Sequence, residues 1–295
     1  MNPPVEITRE LVRTGLQQAR YLATAHVETV LFLALRLERP LLIEGPPGAG
    51  KTEIGKVLAA TLGTDLIRLQ CYEGLDEAKA LYEWNYQKQL LRIQADRQQE
   101  RQWSEVAHDI FGPDYLLERP LLRAITASRK AVLLIDEIDK ADEELEAFLL
   151  EILSDFQVTV PELGTIAARH RPVVVLTSNR SRDLSEALKR RCLYLYLDFP
   201  GTEIERQIID LKVPQLDERL RLQVACFVGQ LRKLDLRKAP SIAESLDWAR
   251  SLCALGIREL DASVVRDTLN VLLKHEEDLI KASGKVASLL SASTR

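Results

Sequence analysis

The run Leu41–Thr52, LLIEGPPGAGKT, carries the residue types and spacing most suited to chemistry in this chain. Gly45, Gly50, Lys51 and Thr52 form the pattern G-x-x-x-x-G-K-[ST], a loop that cradles phosphate. Glycines at positions 45, 48 and 50 let backbone N–H groups turn toward anionic oxygens that a Cβ would obstruct. Lys51 supplies a point charge for the β- and γ-phosphates, and the Thr52 hydroxyl is placed to ligate magnesium. The flanks fit. An apolar strand, Leu41 to Ile43, leads in; Ile54, Val57, Leu58 and Leu62 recur at helical spacing after the loop, ending at Gly63. The N-terminus of that helix, read as Thr52 to Leu62, adds its dipole to the same anion. The candidate nucleotide-binding set is therefore Gly45, Pro46, Pro47, Gly48, Ala49, Gly50, Lys51, Thr52 and Glu53, with ATP as ligand.

A second group lies downstream. Ala131 to Ile135 is a continuous apolar run suited to a strand buried on both faces, and it ends in Asp136 and Glu137. Paired carboxylates at such a strand end are costly unless they face a cation or a wet cleft, and ligands bind at that end of open parallel sheets. Asp136 is expected to share a magnesium with Thr52 through water, and Glu137 to accept a proton from, or orient, the attacking water. A third buried strand, Val173 to Thr177, ends in Ser178 and Asn179. The Asn179 amide could contact both a γ-phosphate and the lytic water, although asparagine there also suits a plain turn. Arg190 and Arg191 close a short helix, where the dipole by itself favours cations.

These residues need elements to position them. Strands expected at 41–43, 66–71, 131–135, 173–177 and 193–197, separated by helices, imply a mostly parallel three-layer α/β domain over 1–199. Asp198 to Gly201 marks a boundary, and residues 200–295 read as an all-helical domain: Thr202 to Leu211, Asp217 to Leu234, Ser241 to Leu255 and Ala262 to Ser283, with the last dozen residues small and polar enough to fray. Ile7 to Leu37 reads as a lead-in helix pair. The segment 72–113 is aromatic at first and then rich in Gln and Arg, which suits a solvated helix or an inserted helical arm for a partner. Phe156 to Ala168 reads as a hairpin about Pro161–Gly164.

Hydrophobic residues make up 46% of the 295 and charged ones 28%, an ordinary globular balance. A net charge of -4 disfavours a protein built to wrap nucleic acid. Cys71, Cys192, Cys226 and Cys253 lie far apart without metal-binding spacing and read as buried thiols of a reducing compartment. No signal-peptide pattern opens the chain, and the longest apolar stretch, Val30 to Leu35, is too short to span a bilayer, so a cytoplasmic location is expected, with peripheral membrane association left open.

Taken together, Gly45–Thr52, Asp136 with Glu137, Asn179, the Arg190–Arg191 pair and a following helical lid resemble an AAA+ ATPase, and within that superfamily the MoxR group, which carries a helix-2 insert (here about 72–113) and a hairpin before the sensor-1 strand (here about 156–168). The stretches IRLQCYEGLDEAKALYEWNY, ERPLLRAI and EALKRRCLYLYLDFP are similar to CoxD-type members. The resemblance implies a ring, usually hexameric, in which Arg191, or its neighbour Arg190, serves as an arginine finger for the adjoining subunit's nucleotide. It also implies a von Willebrand factor A domain partner, a molybdenum hydroxylase client such as carbon monoxide dehydrogenase, and no nucleic acid. In many members an arginine follows a proline early in the third lid helix; Ser241 stands after Pro240 here, so either Arg237 or Lys238 substitutes or the lid is coupled more weakly to nucleotide, and no sensor-2 residue is assigned.

Overall fold

The computed structural model describes residues 6–96, 110–161 and 163–293. Five strands form one sheet: β1 (Leu41–Glu44), β2 (Leu66–Gln70), β5 (Val132–Asp136), β8 (Val173–Ser178) and β9 (Leu193–Tyr196), in the order β2-β5-β8-β1-β9, with every pairing parallel. β5 and β8 are buried at each position because both faces are covered, as expected for central strands without polar alternation. β2 alternates instead. It is an edge strand whose Ile67 and Leu69 face the core while Arg68 and Gln70 face outward. The register sets Gln70 beside Asp136 and Glu44 beside Ser178, so the C-terminal ends of four strands open on one edge of the sheet.

The lead-in pair is observed as helices Arg9–Gln18 and Ala25–Arg36, each started by a threonine side chain (Thr8, Thr24) accepting a backbone N–H. Helix Glu143–Asp155 stops at Phe156, whose left-handed backbone (φ 52°) turns the chain into the antiparallel hairpin of β6 (Gln157–Val160) and β7 (Gly164–Ala167).

The segment 72–113 differs from a simple helical arm. β3 (Tyr82–Trp84) pairs antiparallel with β4 (Leu116–Glu118), bracketing helix Tyr86–Asp96. Trp84, Tyr115 and Val160 form a small core of their own, with Phe111 edge-on to Trp84, so these aromatics serve packing. The Gln- and Arg-rich continuation from Arg97 lies outside the described residues.

The chain divides into two compact units, Met1–Gly45 with Lys51–Tyr196, and Pro46–Gly50 with Leu197–Arg295. The second is helical beyond Leu197 and closes around Phe227 and Trp248, whose ring centroids lie 5.3 Å apart. Two expectations are corrected there. The helix expected over 262–283 is two, Ala262–Leu272 and Glu276–Ser283; the break lets the buried Asp278 accept the backbone N–H groups of Arg237 (2.8 Å) and Lys238 (3.2 Å). The last dozen residues do not simply fray: Val286–Ser293 is a helix, because Val286 and Leu289 find places in the core. Among the described residues no helix is long and apolar enough to cross a membrane.

Candidate functional site

After β1 the loop is shaped by Gly48 (φ 76°) and Gly50 (φ 93°), conformations that side chains with a Cβ rarely adopt. The helix that follows, Lys51–Leu62, begins at the lysine itself. Lys51 is buried, and its Nζ donates to the Gly45 carbonyl at 2.7 Å and to Asn179 Oδ1 at 2.8 Å. Burial pulls its pKa below the usual lysine value, against the opposing pull of Asp139, Asp136, Glu137 and Glu44. Glu53, expected in the binding set, is exposed on the first turn and pairs with Lys56 at 2.9 Å.

Asp136, the last residue of β5, is 2% exposed. Its Oδ1 accepts from Thr177 Oγ1 and from Thr52 Oγ1 (3.0 Å), and its Oδ2 pairs with the Arg68 guanidinium (2.5 Å). Thr177 Oγ1 also accepts the Glu137 N–H at 3.0 Å, tying β8 to the turn after β5. That turn puts Glu137 in the left-handed region, φ 58° and ψ 48°, an uncommon place for a glutamate. Its carboxylate is held by Gln70 Nε2 (3.1 Å), Lys140 Nζ (2.6 Å) and Asn179 Nδ2 (3.4 Å). Asn179 thus touches both Lys51 and Glu137.

Asp139 is buried and holds the Asn179 loop in place, accepting from the N–H of Asn179 (3.1 Å) and Ser181 (2.9 Å) and from the Ser181 hydroxyl (2.6 Å). Burial alone would raise its pKa, but these hydrogen bonds together outweigh burial and lower it, keeping Asp139 ionised. Gln70, Arg68, Asp139, Ser181 and Thr177 escape a reading from sequence. Each is an ordinary strand or turn residue until the fold brings it to its partner: Arg68, Gln70 and Thr177 to Asp136 or Glu137, and Ser181 to Asp139.

The structure therefore gathers Lys51, Thr52, Asp136, Glu137 and Asn179 into one network: Asn179 joins Lys51 to Glu137, Thr52 bonds Asp136, and Thr177 links Asp136 to the Glu137 backbone. Arg190 and Arg191 stand apart from them at the end of helix Glu186–Arg191, and they differ. Arg191 donates to Ser154 Oγ and to the Ala187 carbonyl (2.9 Å), whereas the exposed Arg190 guanidinium has no hydrogen-bond or ion-pair partner among the described residues.

The residue set fits a phosphate ester with a hard divalent cation. Lys51, the glycine-rich backbone and a helix start suit the anion; a threonine hydroxyl beside a buried carboxylate suits an oxygen-liganded metal. The family model described as "AAA domain (dynein-related subfamily)" matches residues 40–192, just over half of the chain and the whole span from β1 to Arg191. The chain belongs to this AAA family. It is an ATPase of α/β fold with a parallel five-stranded sheet and a helical C-terminal part. An uncharacterized protein of Staphylococcus haemolyticus is 25% identical over 226 residues, 74% of this chain and 77% of its own length. The chaperone protein ClpB 2 of Parasynechococcus marenigrum is 32% identical over 138 residues, 47% of this chain but 13% of ClpB 2. Among solved structures, a Thermotoga maritima RuvB mutant aligns with a TM-score of 0.52 at 18% identity, over 100% of this chain and 86% of that one, a likeness of fold.

Proposed function

We propose that this AAA ATPase is a MoxR-type remodelling chaperone that binds ATP with magnesium, hydrolyses it and uses the energy on a protein client. The observation that carries this reading is the joint placement of Lys51, Thr52, Asp136, Glu137 and Asn179 on one sheet edge; the MoxR part is supported by the resemblance of the segments that hold the β3–β4 pair and the β6–β7 hairpin to that group's insert and hairpin. Thr52 and Asp136 would hold the magnesium, which supplies charge neutralisation at the phosphates. Glu137 takes the proton of the attacking water, and Asn179 orients that water against the γ-phosphate.

The AAA+ domain, 1–199, works in a ring, with six subunits the expected number and the helical domain 200–295 as its lid. A ring leaves room for a guanidinium from the adjoining subunit. Arg191 is engaged with Ser154 and Ala187 within its own chain, while Arg190 extends into solvent; this favours Arg190 as the finger. Arg190→Ala is expected to lower steady-state ATP turnover about a hundredfold with nucleotide affinity retained, and Arg191→Ala much less. Equal losses in a phosphate-release assay would remove the distinction.

The client is a molybdenum hydroxylase, carbon monoxide dehydrogenase in the first instance, matured in the cytoplasm with a von Willebrand factor A domain protein as adaptor. Support for these partners is the resemblance of the quoted stretches to CoxD-type chaperones. A nucleic-acid motor is the rival reading, disfavoured because the hairpin turn offers Pro161, Leu163 and Gly164 where a phosphate-tracking tip needs cations. The test is a trap. Glu137→Gln protein loaded with ATP in its native cell and purified is expected to carry a von Willebrand factor A protein and a molybdenum enzyme, read by mass spectrometry. Recovery of nucleic acid or replication proteins without a metalloenzyme would overturn the chaperone reading.

A further inference from the structure

The buried carboxylate of Asp136 already has a cation. Arg68, on the outward face of edge strand β2, reaches Asp136 Oδ2 at 2.5 Å and also donates to Gln70 Oε1. The Arg68 side chain is 49% exposed, while that of Asp136 is 2% exposed. The pair is thus fixed at one end and loose at the other. Among the described residues no further strand lies outside the one that carries Arg68, and its side chain is half exposed, so the guanidinium has solvent to move into.

Occupancy of the carboxylate decides what this means. A carboxylate offers about four lone-pair sites. Asp136 gives three of them to donors: Thr177 and Thr52 (3.0 Å) on Oδ1, the Thr52 hydroxyl lying 3.3 Å from Oδ2 as well, and Arg68 on Oδ2. Thr52 Oγ1 and Asp136 are also the pair fitted to a divalent ion. A guanidinium and a divalent cation beside one carboxylate repel each other, and the guanidinium and the waters that link the cation to Asp136 want the same oxygen lone pairs. Two ligands that exclude each other are linked reciprocally: whatever holds Arg68 in place weakens the metal, and the metal drives Arg68 out.

We propose that Arg68 is the resident counter-ion of Asp136 and competes with magnesium for it, so that this side chain sets how strongly nucleotide binding depends on the metal. The proposal rests on the reading of Thr52 and Asp136 as the magnesium-holding pair. Arg68 acts through Asp136 and is a positioning residue. In the metal-free site it keeps a buried charge paired. On metal entry it swings to the β2 edge, which also frees the Gln70 side chain that holds Glu137.

The experiment measures the affinity of a fluorescent non-hydrolysable ATP analogue in saturating magnesium and in EDTA, for the full chain and its variants. The readout is the ratio of the two affinities, which a loss of general stability does not change in a characteristic direction. Arg68→Gln keeps a hydrogen-bond donor and removes the charge; its ratio is expected to rise about tenfold over the wild type, equivalent to about 1.4 kcal/mol of coupling. Arg68→Lys keeps the charge, and its ratio is expected to stay near the wild-type value. An unchanged or lower ratio in Arg68→Gln, with the wild type dependent on magnesium, would overturn the proposal and leave the magnesium site standing. A wild type that binds the analogue equally well with and without magnesium would instead overturn the site reading, and the proposal with it.

Discussion

Glu137→Gln is expected to reduce phosphate release about a thousandfold while changing ATP affinity by less than about threefold, the effect of removing a positioned general base. The substitution preserves shape, and the left-handed backbone at Glu137 follows from the turn between β5 and the Asp139 anchor, so the side chain keeps its place. Its proton chemistry does not survive. A carboxylate accepts on both oxygens, here from Gln70 and Lys140 on one and Asn179 on the other, whereas an amide accepts on one. The amide can neither take a proton from water nor satisfy both sets of donors. Because Glu137 is at the site's open side, a third exposed, water covers the unpaired donor and folding stability is little affected. Calorimetry with ATP and a phosphate-release assay on the same preparation give both numbers. Near-normal release would take Glu137 out of the reaction.

Lys51→Ala is expected to weaken ATP binding by about a hundredfold or more. Each hydrogen bond to a charged group contributes about 1.5–3 kcal/mol, each 1.4 kcal/mol is tenfold in affinity, and in the proposed role the lysine would meet two phosphates. The cation also stands among Asp136, Glu137, Asp139 and Glu44, which lie close enough to oppose the effect of burial on its pKa. Without it, a polyanionic ligand meets those carboxylates uncompensated. Nζ donates to the Gly45 carbonyl and to Asn179 Oδ1, both part of the site, so the loss also releases Asn179. Unaltered circular dichroism with lost binding is the expected pair of results; a Kd close to that of the wild type in calorimetry would count against the phosphate-loop assignment.

Much of the nucleotide site can be read from the chain alone because its parts are local. A strand, a glycine-rich turn and a helix start are contiguous in Leu41–Leu62. The unbroken apolar runs before Asp136 and before Asn179 mark buried parallel strands whose ends carry the site's polar residues. The five-stranded sheet, the hairpin after helix Glu143–Asp155 and the first three helices beyond Leu197 follow from periodicity in the same way. Tertiary structure decided the rest, for a physical reason each time. Arg68 and Gln70 meet Asp136 and Glu137 across 68 and 67 residues only because β2 lies in parallel register beside β5. Asp139 anchors Asn179 across 40 residues because β8 lies on the other side of β5. The aromatic stretch after Tyr72 includes β3, not an exposed arm alone, because Trp84 finds Tyr115 and Val160 to bury against. The terminal residues hold a helix because Val286 and Leu289 complete a core that other helices had left open. Arg190 and Arg191, equivalent as adjacent letters, are distinguished by Ser154, 37 residues from Arg191 along the chain and beside it in the fold. Composition and spacing determine which residues can do chemistry; packing between distant segments determines which partners hold them in place for it.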